Sequence, residues 1–337
     1  MAHWPQHNLL RLPHKLSSVL SAHVYAGSAP LSPSTPLIVF LNPLSADAQC
    51  WLDVIHSFRA VCPGAWMIRY DRYGQGSSGP DPADPEGLGS PSQAVEDLVG
   101  LVRDIVGNET EVDEENEVEH EVEDIPLVLV GNGFGCALAR LYAGKYKGVR
   151  GVLFLDSYMT DTDSISLLPA PQEGEPEELT RAREEMRSKL DPKVVVGGMR
   201  RDSIQQLLSS CEAPVLPGEP WVTVGMHDPV LFAQEECQQN LNISPHITEQ
   251  YIQPHWEAYH HGLLKLTAPH KAKGPVVAQG AAHHIQVEQP EWVVGELREM
   301  VRRIMGELRE MVRRIMGELP GGEVGEVGEV GEVGGEE

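Results

Sequence analysis

The strongest chemical signal lies in LVLVGNGFGCALARLYA, Leu127–Ala143, where a four-residue apolar run enters Gly131-Asn132-Gly133-Phe134-Gly135 and passes directly into a helical pattern. A turn of this kind, written G-x-S-x-G, holds a nucleophile above a sheet, because the sharp strand-to-helix bend exposes its central side chain. Here the centre is Gly133, which has nothing to attack with. The outer glycines, Gly131 and Gly135, let helix and strand approach closely. Taken alone, the segment is equally a plain Gly-rich turn whose helix N-terminus binds phosphate. Cys136 lies three positions past the centre, nearly a helical turn on, so its sulfur faces the packing layer and a buried, inert thiol is expected. His255, His260 and His261 in QPHWEAYHHG raise the question of metal. No nearby Cys and no carboxylate-bearing open-site motif accompanies them, so they read as histidines on a helix surface or facing a lid, and no metal site is expected.

Such a turn needs a sheet to hold it. Strand-like apolar runs bounded by turn residues recur at Leu37–Leu41, Trp66–Tyr70, Leu127–Val130 and Val152–Leu155. Amphipathic stretches at Ala48–Ala60, Ser92–Ile105 and Cys136–Lys145 lie between them. Short apolar strands alternating with helices indicate a parallel sheet covered on both faces. The alternation resumes at Trp221–Val224 and Val276–Ala278 and ends in a helix from about Pro290. Between about Ser157 and Pro217 it breaks. A Pro/Gly/Glu-rich stretch, LLPAPQEGEPEE, is followed by helical patterns at Leu179–Leu190 and Arg201–Ser209. This region reads as a helical insertion above the sheet, the alternative being two surface helices with no part in binding.

The last helix contains a repeat: GELREMVRRIM stands at Gly295–Met305 and again at Gly306–Met316. An 11-residue period keeps Leu297, Met300, Val301 and Ile304 on one face in both copies. One copy suffices to cover a sheet edge, so the second is expected to extend into solvent or toward a partner. Arg302, Arg303, Arg313 and Arg314 are balanced by Glu296, Glu299, Glu307 and Glu310, a solvated face of i,i+3 and i,i+4 pairs.

Composition narrows the function further. The 337 residues carry 26 Lys+Arg against 50 Asp+Glu, a net charge of −24. Ten acids fall in residues 109–124 and seven in 318–337, with no Lys or Arg in either run; without them about −7 remains. Both runs read as solvated, disordered chain, the product of local sequence expansion. No basic stripe is present to displace counterions from phosphates, so nucleic acid is not an expected partner. The five cysteines are odd in number, widely spaced and never in a CxxC pair, which favours a reducing compartment. No secretory signal opens the chain and no stretch approaches 18 apolar residues, so a cytoplasmic protein with no membrane partner is expected.

Three further segments join the Gly-rich turn in a fixed order. Asn42-Pro43-Leu44-Ser45-Ala46-Asp47 runs on to Trp51 after the LIVFL strand, and Asp71-Arg72-Tyr73-Gly74-Gln75-Gly76 follows WMIRY. Gly280-Ala281-Ala282-His283-His284-Ile285 leads into Glu288-Gln289-Pro290 near the end. With the four in this order, the chain resembles the α/β-hydrolase superfamily of esterases, lactonases and epoxide hydrolases. The N-P-L-S-A-D-x-x-x-W stretch is similar to that of enol-lactone hydrolases, and the whole set resembles small fungal hydrolases of secondary metabolism. The likeness covers about residues 30–158 and 215–305. It implies an α/β fold with a mostly parallel central sheet, flanking helices and a helical lid. The core is then 1–156 and 216–305, the lid 157–215, and the repeated helix with its acidic tail 306–337.

The resemblance also implies roles. Gly133 stands at the nucleophile position, and the backbone N–H groups of Phe134 and Leu44 would form an oxyanion hole. His283, five residues before the Glu of E-x-P, matches the general base, with His284 as its neighbour. Asp228, in Gly225-Met226-His227-Asp228-Pro229, matches the acid; Asp156, ending the VLFL strand, is the alternative acid. Asp71 organises the loop after its strand. No cofactor is implied.

A Ser–His–Asp enzyme passes through an acyl-enzyme, which glycine cannot form. Losing only the nucleophile leaves the donors and the His–Asp pair, and three readings follow. In the first, His283 acts as a general base on water or on a carbon acid, and the oxyanion hole stabilises a tetrahedral oxyanion or an enolate. An ester, lactone or keto/aldehyde substrate is then turned over without an acyl-enzyme. The second is a degenerate hydrolase that binds a small molecule without turnover. The third is an ordinary serine esterase whose Ser was replaced by Gly133. The first is the expectation: an enzyme of small-molecule, secondary-metabolite biosynthesis.

Overall fold

A computed structural model describes residues 6–84, 89–109, 122–205, 207–208 and 215–315. Most of the acidic run expected to be disordered, residues 110–121, and the tail from 316 onward lie outside the described residues.

Eight strands form one sheet: β1 Gln6–Leu10, β2 Leu20–Tyr25, β3 Leu37–Leu41, β4 Trp66–Tyr70, β5 Leu127–Asn132, β6 Val149–Leu155, β9 Trp221–Met226 and β10 Ala272–Val277. Their spatial order is β1-β2-β4-β3-β5-β6-β9-β10, while β7 (Val195–Val196) and β8 (Met199–Arg200) make a separate hairpin. The β1–β2 and β2–β4 pairs are antiparallel and every other neighbour in the large sheet is parallel. Central strands read as unbroken apolar runs because successive side chains enter opposite cores. In β3, Leu37, Val39 and Leu41 join Leu127 and Leu129 of β5 under α2 (Pro91–Glu109) and α3 (Phe134–Lys145). Ile38 and Phe40 join Val128 and Val130 on the opposite face, under α1 (Leu52–Val61) and α10 (Pro290–Ile315).

Two strands of the large sheet are not evident in the sequence. β1 and β2 carry His, Asn and Ser among their apolar residues, and Leu9 of the edge strand β1 is exposed. β10 begins four residues before the expected Val276. Its Gly274-Pro275 pair interrupts the apolar run, and the register with β9 shifts between Lys273 and Val276.

Two helical segments rise from the sheet beside β6 and β9. The first holds α4 (Glu177–Lys189), the β7–β8 hairpin and α5 (Asp202–Gln205), within the span expected for the lid. The second, between β9 and β10, runs from α6 (Pro229–Leu231) through π-helical turns at Phe232–Asn240 to α7 (Pro245–Ile247), and on to α8 (Gln253–Leu263). Turns of i→i+5 spacing break the 3.6-residue period that marks a helix in sequence, so only the α8 end of this segment stood out.

The short α9 (Ile285–Glu288) precedes α10, which carries both repeat copies as one helix as far as Ile315. Leu297, Met300, Val301 and Ile304 of the first copy are buried. Met311 and Val312 of the second stand 49% and 50% exposed, because the sheet has ended beneath them.

Candidate active site

The Gly-rich turn keeps the geometry of a nucleophile elbow without the nucleophile. Gly133 has φ 54° and ψ −117°, a left-handed conformation that glycine adopts freely and side-chain-bearing residues rarely do. Its N–H donates to Leu155 O at 3.1 Å. Its carbonyl accepts from Cys136 N–H at 3.2 Å and from Tyr158 N–H at 3.1 Å. Gly135 is required by close approach, since a Cβ there would lie 2.1 Å from Leu41 O. Phe134 is the first residue of α3, so its N–H has no acceptor within its own helix.

The loop after β3 is held from behind. Arg72 donates to Asn42 O (2.8 Å) and Pro43 O (3.1 Å), and Gln75 Nε2 donates to Pro43 O (2.9 Å). A trans peptide sets the N–H opposite the carbonyl, so the Leu44 N–H points away from Arg72 and Gln75. Pro43 Cβ lies 3.5 Å from the position a Cβ on Gly133 would take, which brings this loop beside the elbow. Asp71 stays behind it, accepting from Ala48 N–H (2.8 Å) and Ser77 N–H (2.9 Å), as a loop organiser would.

His283 reaches the elbow from the loop after β10. Its Nε2 is 3.0 Å, and its Cε1 3.3 Å, from the ideal Cβ position of Gly133. Its carbonyl accepts from Asn132 Nδ2 at 2.9 Å; that side chain also donates to Leu155 O and faces Gln286 and His284 through Oδ1. Asn132, the second residue of the turn, thus ties the elbow to the histidine loop. Glu288 accepts from the Ala282 N–H at the other end of the same loop.

The carboxylate on His283 is Asp156, not Asp228. His283 Nδ1 lies 2.7 Å from Asp156 Oδ2. Asp228 instead caps α6, accepting from Val230 N–H at 3.0 Å and Leu231 N–H at 3.5 Å, while its other oxygen faces Gly280 N–H. The inward place at the end of β9 belongs to the preceding residue, His227, which is fully buried against Asp156. Asp156 directly follows β6 with φ 44°, a conformation seldom kept by a non-glycine residue unless its surroundings impose it.

Four aromatic side chains surround that carboxylate. Oδ1 faces His227 Nδ1 and Trp256 Nε1, each at 2.8 Å, and His260 Nε2 lies 4.0 Å away. Burial works to raise the carboxyl of Asp156, but the charge and hydrogen bond of His227 and the hydrogen bond of His283 outweigh it and hold it well below the ordinary range. For His283, burial opposes the charged form, yet the hydrogen bond and charge of Asp156 win and its pKa lies above the usual histidine value. His284 is pushed down to about 4 by burial and by its neighbour His283.

His283 also lines a cavity of about 190 Å³ between the sheet and the two helical segments. Met159, Leu190, Phe232, Leu241 and Trp256 supply apolar wall, and Arg201 and Glu236 supply charge.

The structure therefore brings Gly133 and His283 together, with Phe134 next in the turn and the Pro43 loop beside it, draws in Asp156 and leaves Asp228 aside. Cys136 is buried with Sγ 3.1 Å from Gly131 O, and desolvation drives its thiol pKa up. Of the three histidines near Trp256, His255 and His261 are exposed, while His260 is fully buried beside Asp156, against the expectation of a surface or lid-facing residue. Among the described residues, no group of three or more His, Cys, Asp or Glu side chains is arranged so that it could hold a metal ion. None of the described helices is long and apolar enough to cross a membrane.

A family model described as alpha/beta hydrolase family matches residues 38–296. No curated protein sequence matches the chain. Solved structures similar in fold include a thermophilic esterase from Thermogutta terrifontis, 17% identical over 90% of this chain and 100% of that one, TM-score 0.53. A haloalkane dehalogenase loop variant from Bradyrhizobium elkanii is 14% identical over 91% and 99%, TM-score 0.53. A proline iminopeptidase-related protein from Thermus thermophilus is 13% identical over 90% and 99%, TM-score 0.52. Identities this low carry the fold and not the reaction.

Proposed function

The chain belongs to the alpha/beta hydrolase family, and on that premise we propose that it turns over a small ester, lactone or keto/aldehyde substrate by general-base catalysis, without an acyl-enzyme. One observation carries the reading: the His283 imidazole, anchored on Asp156 at 2.7 Å, presents Nε2 3.0 Å from where a nucleophile's Cβ would stand. With its Nδ1 proton on Asp156, Nε2 is the free base. It takes a proton from water, or from carbon next to a carbonyl, and no bond to the protein forms. The N–H groups of Phe134 and Leu44 would receive the developing oxyanion or enolate oxygen, a contribution that is largest in a site shielded from water. The proton held on Nε2 then returns to the leaving oxygen or to the product. The mostly apolar wall suits a hydrophobic or aromatic small molecule. A place in secondary metabolism and a cytoplasmic location belong to the same proposal; Cys50, Cys62, Cys136 and Cys237 are free thiols, which suits a reducing compartment.

A panel of p-nitrophenyl esters, small lactones and β-keto aldehydes, assayed against the native protein and His283→Ala, tests the reading. General-base loss predicts a fall in turnover of roughly 10²–10⁴-fold with ligand affinity retained. Native turnover should rise with pH through the His283 titration, at a midpoint above the ordinary value of about 6.5. Turnover that survives His283→Ala, or an acyl adduct in the intact mass spectrum, refutes it. Binding with no turnover anywhere on the panel leaves the binding-protein reading in its place.

A further inference from the structure

One carboxylate serves two imidazoles here, and the proton on each ring nitrogen follows from the atom it faces. His260 Nε2 accepts from the Ser157 N–H at 2.9 Å, and its Nδ1 faces the Trp256 carbonyl at 2.8 Å. It therefore carries one proton, on Nδ1, and is neutral, in keeping with a pKa pushed down to about 4 by burial. His227 differs. Its Nδ1 faces Asp156 Oδ1 and its Nε2 faces Gln253 Oε1, both at 2.8 Å. The amide of Gln253 is oriented by its other end, because Nε2 donates to Glu257 Oε1 at 3.1 Å. Turning the amide over would set its oxygen against that carboxylate. An imidazole with an acceptor at each nitrogen needs a proton on both, and a bare lone pair at 2.8 Å from a buried oxygen would leave both unsatisfied.

We propose that His227 is a positioning residue held as an imidazolium. It neutralises Asp156 and, with Trp256, fills Oδ1, so that Oδ2 alone remains for His283. The surroundings suit a buried cation paired in this way. From the α6 segment, the Phe232 ring stacks on His227 at 3.8 Å between centroids, with an interplanar angle of 5°. From α8 come Gln253, Trp256 and neutral His260, with Glu257 one residue beyond; from β6 comes Asp156. His283 shares that carboxylate from the β10 side with His284 beside it, and Asp228, Glu235, Glu236 and Cys237 are the titratable groups that follow His227 as far as Asn240. The consequence for chemistry is a weaker base than an unshared carboxylate would make. The imidazolium draws on the charge of Asp156 and repels a second positive charge on His283. The proposal rests on the base reading of His283 only for this catalytic consequence; the protonation of His227 stands apart from it.

Histidine-selective ¹⁵N labelling and long-range ¹H–¹⁵N spectra of the full chain at pH 7 test it directly. His227 is expected to show protons on both ring nitrogens, and His260 on Nδ1 alone. In His227→Gln the side-chain amide still donates to Asp156 but brings no charge, so the His283 midpoint should move to higher pH. A bare ring nitrogen on His227 overturns the proposal, as does a His283 midpoint that stays or falls in the folded variant. Where His227→Gln does not fold, the native spectrum decides alone. Loss of the general-base reading in the His283→Ala assay would leave these spectra unchanged, so the two failures are distinguishable.

Discussion

Restoring a hydroxyl at position 133 asks whether the rest of the apparatus is in working order. Gly133→Ser and its control Gly133→Ala both force a side chain onto φ 54° and set a Cβ 3.0 Å from His283 Nε2. Strain at such a backbone position costs about 1–3 kcal/mol. The contact is tighter than ordinary van der Waals packing, so the imidazole must recede by a few tenths of an ångström. Asp156 holds its side chain and the Asn132 bond holds its carbonyl, and a shift of that size leaves both hydrogen bonds intact. Both variants should therefore fold, with a melting temperature lower by roughly 2–4 °C per kcal/mol for a domain of this size. They part in chemistry. The serine hydroxyl stands on the Cβ that faces Nε2, so Gly133→Ser should hydrolyse p-nitrophenyl esters with an initial burst and take up a fluorophosphonate, seen as a mass adduct on the intact protein. Gly133→Ala should do neither. A gain of about 10²-fold or more over the alanine control is the scale expected when a base is already placed for its nucleophile. A folded Gly133→Ser no better than Gly133→Ala would refute the reasoning, since it would mean that the donors at Phe134 and Leu44, or the imidazole, are not aimed at a common point.

Three further outcomes follow from the same structure. Asp156→Asn should lower the His283 titration midpoint in an NMR titration, whereas Asp228→Ala should leave it unmoved and cost about 0.5–2 kcal/mol in chemical denaturation as a lost helix cap. His260 is held neutral with a pKa of about 4, so between about pH 6.5 and pH 4 the unfolded chain binds a proton that the folded one refuses. Stability therefore falls as the pH drops through that window, by about 3 kcal/mol at most from this group, and denaturation curves of His260→Gln should show a shallower fall than the native protein. The two copies of the helical repeat should respond unequally to one substitution: Met300→Ala, in the core, should cost about 2–5 kcal/mol, and Met311→Ala, half exposed, less than about 0.5 kcal/mol.

The central strands were legible because each is apolar on both faces, and the elbow because glycine at 131, 133 and 135 answers a steric demand that few other residues meet. His283 was legible through its spacing to Glu288, and that glutamate does hold the loop, at Ala282. The acid was not. Asp156 and Asp228 both follow a strand and both lie in the chain between the elbow and the histidine, so local pattern cannot rank them. Their difference lies in which side chain turns inward at the end of β9, and that place goes to His227. Asn132, His227 and Trp256 were given no role, and His260 was read as a helix-surface or lid-facing residue, for a related reason. Each acts through a partner between 23 and 151 residues away, and no periodicity or motif registers such a pair. The second helical segment was hidden by its π-helical turns.

The choice between an enzyme and a silent binding protein turns on what the Asp156 cluster contributes to the molecule. A buried ion pair is weak support for stability, because removing charges from water offsets much of their attraction, and a well-packed apolar substitute often serves as well. Asp156 adds to that cost a backbone conformation at φ 44° that its residue type disfavours. A pocket meant only to hold an apolar ligand would need none of this: Met159, Leu190, Phe232 and Leu241 would suffice. What the cluster does supply is an imidazole of fixed tautomer on a residue that lines the cavity, with Nδ1 committed to Oδ2 and Nε2 facing the elbow. Fixing a tautomer matters for moving a proton and is of no consequence for burying a hydrophobic surface. Strained backbone, perturbed titration and a convergent cavity at one place favour chemistry over storage. On the proposed reading, Gly133 removes one intermediate from the reaction and leaves proton transfer to His283.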